Sequence, residues 1–268
     1  MKKRTVIKSL VVLILIAGVA IAGLFSYNTY QHNQQAKTIT KGTLTVGLEG
    51  TYAPYSYRED GKLKGYEVDL AKDIADKMGL KVAYVETKWD SLIAGLGSHR
   101  YDVVMNNIGY TKERADTYSL SDYYVYPHTV LIKRDNEKDL KDLKSIDGKK
   151  MAQSTTSNYG KIAEKNGAKL VSVPGINEAM NLVKTKRADG SLNDLGAFKA
   201  YQKQNPKSKL TYVDLDGQVD SKPSGALVNK DNKKLLKAIN KAIEELKSDG
   251  TLSKLSEKYF GMDISSSN

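Results

Sequence analysis

Between residues 44 and 259 the chain alternates short apolar runs with stretches of helical period, in two successive series. This alternation constrains the fold most, because strands separated by helices are joined by crossovers and pair in parallel. In the first series residues 44–48 alternate as a strand, and residues 66–78 carry Leu70, Ile74 and Met78 on one helical stripe before Gly79. Residues 81–85 form a second strand. Asp90 caps a helix bearing Leu92, Ile93 and Leu96 that ends at Gly97. Residues 102–105 are a buried parallel strand, Thr111 opens a further helix, and residues 126–133 are strand-like. The second series places strands at 150–153, 170–173, 190–192, 210–213 and 225–228, with helices at 158–165, 176–184, 194–203, 231–248 and 251–259. Leu235, Ile239, Ile243 and Leu246 stripe the longest of these helices. No repeat of fixed period accompanies the two series. The fold class is therefore α/β, in two lobes.

Upstream lies a segment of another kind. Lys2, Lys3, Arg4 and Lys8 precede an apolar run over residues 10–25, the order that keeps an N-terminus in the cytoplasm while the rest crosses. Ala20-Ile-Ala22 offers a cleavage site, yet Leu24 and Phe25 extend the run beyond it, so residues 1–25 read as a cleaved signal or an uncleaved anchor. Residues 26–39 are polar and read as a tether. Both readings put the folded part outside the membrane, at its outer face or the cell surface.

The 268 residues carry a net charge of +11 and no cysteine. Disulfides, thiolate nucleophiles, cysteine zinc sites and a lipidated N-terminal cysteine are thereby excluded. The excess of lysine is spread along the chain. It reads as a solvated surface, with adhesion to an anionic envelope as the functional alternative. No zinc-finger, RNP-type or basic-zipper pattern supports a nucleic-acid partner. HExxH, G-x-S-x-G and the P-loop are absent, and Gly95-Leu-Gly97 lacks the third glycine of a dinucleotide loop. No catalytic group, metal site or cofactor is read from the sequence.

Polar and aromatic residues instead gather just after the strands, at the edge where open α/β sheets bind ligands. Glu49 and Tyr52 follow the first strand, Trp89 the second, and Asn106, Asn107 and Gly109 the third, with Arg114 in the next helical turn. Ser154, Ser157 and Asn158 follow the strand at 150–153, and Asp194 the strand at 190–192. These types suit a zwitterion. Arg114 can clamp an α-carboxylate, helped by backbone N–H groups near Thr111, and Asp194 can pair the α-ammonium. Tyr52 and Trp89 can enclose an apolar or sulfur-bearing side chain, and Glu49 can meet a second ammonium. Taken singly, each has an ordinary explanation: a surface charge for Arg114, an N-cap for Asp194, packing for the rings, a turn for Glu49.

The stretch Gly65-Tyr-Glu-Val-Asp-Leu70 with Ile74, Ala75 and Met78 resembles the family 3 solute-binding proteins of polar amino-acid ABC transporters. Thr111-Lys-Glu-Arg114, Arg187-Ala-Asp189 with Asp194, and Asp249-Gly-Thr through Tyr259-Phe-Gly261 resemble them too, so the likeness runs from about residue 40 to 264. Val46-Gly-Leu-Glu-Gly-Thr-Tyr52, Thr87-Lys-Trp-Asp90, Asn106-Asn107 and Asn158-Tyr159 are similar to the cystine-binding branch. The resemblance implies a type II periplasmic-binding-protein fold with two crossover strands. Residues 40–124 plus 225–268 would form lobe 1 and 128–220 lobe 2, with hinges near 124–128 and 220–224. It implies a carboxylate on Arg114, an ammonium on Asp194 and aromatic walls at Tyr52 and Trp89. Glu49 would touch the side chain, Asn107 and Gly109 would give backbone contacts, and Ser157 and Asn158 would reach in from lobe 2. The family commonly has threonine where this chain has Gly109, and some relatives have lysine at Ser154. The implied role is capture of an amino acid, L-cystine first, by a monomer that delivers it to ABC permease subunits. Glutamine or another polar amino acid, a basic adhesin, and a dehydratase-type enzyme on the same scaffold are the alternatives.

Overall fold

The computed structural model describes residues 37–266. The basic-then-apolar segment and most of the tether lie outside the described residues.

Strand β1 (Thr43–Leu48) is followed by a small meander of β2 (Thr51–Tyr52), β3 (Ser56–Glu59) and β4 (Lys62–Lys64). Then come α1 (Tyr66–Lys77), β5 (Lys81–Glu86), α2 (Trp89–Gly97), β6 (Val103–Val104), α3 (Lys112–Thr117) and β7 (Tyr118–Leu120). The chain crosses over and forms β8 (Thr129–Arg134), β9 (Lys150–Gln153), α4 (Asn158–Lys165), β10 (Lys169–Ser172), α5 (Ile176–Lys184), β11 (Gly190–Asp194), α6 (Leu195–Gln204) and β12 (Leu210–Asp214). It then returns to add β13 (Leu227–Asn229), α7 (Lys233–Ser248) and α8 (Thr251–Phe260).

Two five-stranded sheets result, ordered β5-β1-β6-β13-β7 and β10-β9-β11-β8-β12. In each, three parallel strands are followed by one antiparallel strand in fourth place. That fourth strand is always the first one formed after a crossover, β8 in one lobe and β13 in the other. Each sheet is therefore completed by a chain arriving from the opposite lobe. This two-lobed α/β architecture is the fold class read from the sequence.

Local chemistry explains the elements. In β1, Leu44, Val46 and Leu48 are fully buried, as the alternation requires. Gly47 and Gly95 are needed because Tyr101 packs against both: a Cβ on Gly47 would lie 2.6 Å from its ring and one on Gly95 2.1 Å from its hydroxyl. Asn232 caps α7 by accepting from the Leu235 N–H at 3.3 Å, and the predicted stripe of Leu235, Ile239, Ile243 and Leu246 is buried.

Several local expectations differ from the structure. Helix α2 starts at Trp89 with Lys88 as its N-cap, so Asp90 stands inside the first turn and caps nothing. An acid in either place favours a helix start, so the sequence signal is the same. The helix opened by Thr111 has only six residues before β7, which was not foreseen. The strand expected from residue 126 begins at Thr129, because 126–128 belong to the crossing. The meander was also missed, although Asp60 and Gly61, both at positive φ (51° and 74°), are the Asp-Gly signal of a tight hairpin.

The two crossings run side by side. Ser224 donates its N–H to Val125 O at 2.8 Å, and Tyr124 N–H returns to Ser224 O at 3.1 Å. The loop after β6 joins them through Gly225 N–H to Ile108 O and Tyr110 N–H to Pro223 O, each 3.1 Å. One carboxylate ties this region to α1. Glu67, fully buried, accepts the Asn107 N–H at 2.9 Å and the Tyr124 hydroxyl at 2.7 Å. Burial pushes its carboxyl up to about 7; the bonds from Tyr124 and Asn107 pull it back, and the charge of Glu49 adds to the rise.

The native state thus holds a proton on Glu67 between its unfolded value of 4.5 and about 7, where the unfolded chain does not. Stability must fall as pH rises through that window. A shift of this size corresponds to about 3 kcal/mol. Glu67→Gln, which keeps an acceptor for Asn107 and Tyr124, should flatten this part of the profile. Urea unfolding of both proteins at pH 5 and pH 7.5 measures it.

Candidate functional site

The facing edges of the two sheets flank an open cleft. Lobe 1 supplies the turn after β1, the start of α2 and the loop after β6. Lobe 2 supplies the segments after β9, β10 and β11. Of the nine residues singled out in the sequence, Glu49, Tyr52, Trp89, Asn107, Ser157 and Asn158 line this cleft. Gly109, Arg114 and Asp194 stand behind its lining.

Glu49 is held at two points by Asn106, whose Nδ2 donates to Oε2 at 2.6 Å and whose Oδ1 accepts the Glu49 N–H at 2.9 Å. Burial raises the Glu49 carboxyl to about 7, against the pull of that Asn106 bond, and the charges of Asp90 and Glu178 push the same way as burial. The lining holds no lysine or arginine, although the protein carries +11. Asn107 sits at φ 49° with its N–H on Glu67 and its side-chain oxygen accepting from Ser224 Oγ at 2.7 Å. Ser157 caps α4, accepting from Gly160 N–H and donating to Ser154 O, both at 2.9 Å, so its hydroxyl proton is spent within lobe 2.

Two charges dominate the electrostatics. Arg114 is 7% exposed, donates from Nη1 to Gly109 O at 2.8 Å, and rests over Trp89 with 5.4 Å from guanidinium carbon to ring centroid. Asp194 is 3% exposed and caps α6. It accepts from the Tyr55 hydroxyl at 3.0 Å, Ala197 N–H at 3.2 Å and His128 N–H at 3.2 Å. Every partner of both groups is neutral, and among the described residues neither comes within 4 Å of an opposite charge. Burial lowers Arg114 to about 10 and raises Asp194, each shift toward loss of charge. Buried charge without a counter-ion is costly, and here one of each sign is kept, one per lobe. No buried side-chain nitrogen or oxygen among the described residues lacks a hydrogen-bond partner, so the guanidinium N–H groups without a protein acceptor are open to solvent.

The space beside Arg114 is set by Gly109. A Cβ there would meet Asn158 Nδ2 and Lys222 O at 3.6 Å and Ser224 Oγ at 3.9 Å, ordinary contact distances. Its absence leaves room for about one methyl group between the loop after β6 and Asn158.

The lobes also touch directly. Tyr52 donates its hydroxyl to Asn193 Oδ1 at 2.9 Å, Tyr55 bonds Asp194, and Lys161 pairs with Glu113. Gly196 abuts Phe260, whose ring packs on Tyr55 and Tyr66; a Cβ on Gly196 would lie 2.6 Å from it.

Sequence reading missed Asn193, because β11 was ended at residue 192 and the helix begun at 194. It also missed the apolar wall of Val173, Pro174, Ile176 and Ala179, which occupies the same strand-end position after β10.

Comparison with known proteins places this geometry. Residues 44–262 match the bacterial extracellular solute-binding proteins, family 3. The L-cystine-binding protein TcyA of Bacillus subtilis (strain 168) is 38% identical over 270 residues, covering 96% of this chain and 97% of that protein. An ancestral arginine-binding protein bound to glutamine superposes with a TM-score of 0.78 at 35% identity, covering 83% of this chain and 99% of its own. The L-cystine solute receptor of Neisseria gonorrhoeae, solved in the unliganded open conformation, shares more sequence, 45% over 85% of this chain and 97% of its own, yet superposes at only 0.58. Lower likeness at higher identity is what a difference in lobe angle produces, and with the contacts across the cleft it marks the present structure as closed. The chain belongs to the bacterial extracellular solute-binding proteins of family 3.

Proposed function

We propose that this protein binds an amino acid outside the cytoplasm, with L-cystine the best-suited ligand, and delivers it to the permease of an ABC importer. The observation that carries the reading is the pair of buried, unpaired charges, Arg114 on lobe 1 and Asp194 on lobe 2. A zwitterion supplies both missing counter-ions at once. Its carboxylate meets the open N–H groups of Arg114, and its ammonium faces the negative pole of Asp194. Asn107, Gly109, Ser157 and Asn158 complete the head-group contacts. Tyr52 and Trp89 wall the side chain, and Glu49 takes the second ammonium that cystine carries.

Residues 40–124 with 225–268 act as one lobe and 128–220 as the other, turning about the crossings at 124–128 and 220–224. Because ligand touches both lobes, it favours the closed state by its differential affinity. No chemical step is required, and the protein works as a monomer, held by its N-terminal segment or by its basic surface. Glutamine or another polar amino acid is the nearest alternative ligand, since the relatives bind several. A dehydratase-type enzyme is the second reading, favoured only by the near-neutral Glu49 in the cleft; recovery of the amino acid unchanged after incubation excludes it.

Residues 38–268, a compact unit in themselves, suit calorimetry against a panel of amino acids. L-Cystine should bind most tightly. Arg114→Ala should weaken it by about 30-fold to several thousandfold, the cost of stranding one partner of a buried charge pair. Absence of any amino-acid binding, or an Arg114→Ala protein that binds like the parent, contradicts the assignment. Since Glu49 loses its proton near pH 7, cystine affinity should rise from pH 5.5 to 7.5 while glutamine affinity stays level. Glu49→Gln should abolish the difference.

A further inference from the structure

Asp90 has an unusual position for a residue in the first turn of a helix: its carboxylate leaves the helix and crosses to the other lobe. Oδ1 accepts from Ser154 Oγ at 2.9 Å and from Thr156 Oγ1 at 2.7 Å. Both hydroxyls belong to the turn between β9 and α4. That turn presents them together, because the Thr156 N–H donates to Ser154 Oγ at 3.2 Å and the two hydroxyl oxygens lie 3.0 Å apart. Two donors on one lobe thus converge on a single oxygen of the other. Asp90 and Thr156 are exposed and outside the cleft lining, while Ser154 is half-buried and stands on that lining. The contact therefore forms at the rim of the cleft.

We propose that Asp90 is a closure latch, a positioning residue that sets how long the closed protein retains its amino acid without touching that amino acid. The proposal rests on the reading of this protein as one that captures solute by closing. A charged acceptor shared by two hydroxyls is a stronger bond than a neutral one, and it exists only when the lobes meet. Its contribution is common to every ligand. Contacts inside the cleft, Glu49 among them, discriminate between ligands, whereas the latch multiplies all affinities by one factor. It acts on release, because the tie forms after the solute has entered.

The absence of cysteine allows a direct test. Spin labels on Lys62→Cys and Lys207→Cys, both exposed and one on each lobe, report the inter-lobe distance in the full chain held in detergent. Asp90→Ala should deplete the short-distance population of the ligand-free protein at least threefold. In a Glu49→Gln background, which removes the carboxyl that the Asp90 charge acts on, and with L-cystine, L-glutamine and L-arginine as probes, it should speed release of each bound amino acid by about tenfold, leaving association rates and the order of preference unchanged. Thr156→Val should do the same in part, and the double variant should be no worse than Asp90→Ala alone. An unchanged distance distribution, additive effects of the two substitutions, or a changed ligand order would overturn the latch. If parent and variants bind none of the three amino acids, the proposed function fails, and the ligand-free distances still decide the latch.

Discussion

The structure depends on the return of the chain to its first lobe. The sheet of lobe 1 receives its fourth strand, β13, only after the chain has crossed to lobe 2 and back, whereas β8 to β12 form one unbroken run, so lobe 1 is incomplete without both crossings. The crossings are bonded to each other through Val125 and Ser224, and to the loop after β6 through Ile108 and Tyr110. The two crossings thereby form one short paired ribbon, which is the hinge of the proposed closure. Glu67 fixes one end of that ribbon by holding Asn107 and Tyr124 with the same carboxylate. The loop that presents Asn107 to the cleft is thus built on this ribbon.

On this frame the cleft concentrates what the rest of the protein avoids. Among the described residues, twelve lysine or arginine ion pairs dress the surface, most of them well exposed and each of little energetic weight. Arg114 and Asp194, both buried, have none. A protein selected for stability alone would pair or remove them. In the proposed function their retention on opposite lobes would couple recognition to closure, because one ligand could neutralise both only when the lobes approach. The lysine-free, carboxylate-bearing lining would then bear on the ligand's side chain, and the proposed latch at Asp90 on retention.

Much of this was legible in the sequence because it is periodic. The stripe of α7, the alternation of β1 and the two βα series are local patterns, and they gave the fold class. What failed was non-local or ambiguous. Nothing near residues 227–229 announces that they pair with residues 103–104, because that pairing belongs to the crossover topology. Asp90 looked like a cap because a first-turn acid and an N-cap acid share one signature. The strand-end rule led to Glu49, Tyr52, Trp89, Asn107, Ser157 and Asn158, which meet at the cleft. It passed over Asn193, where a strand boundary was misplaced by two residues, and the apolar wall after β10, where the rule was not extended. Burial of Arg114 and Asp194 behind the lining could not be read from residue type, since both also suit surface roles.

The most direct measurement is a crystal structure of the protein grown with L-cystine. The expected result is one amino-acid head group between the lobes, its carboxylate oxygens within hydrogen-bond distance of the Arg114 guanidinium and its ammonium on the Asp194 side of the cleft. A cystine bound with its carboxylate away from Arg114, or a closed protein whose cleft holds no amino acid at saturating cystine, would contradict it.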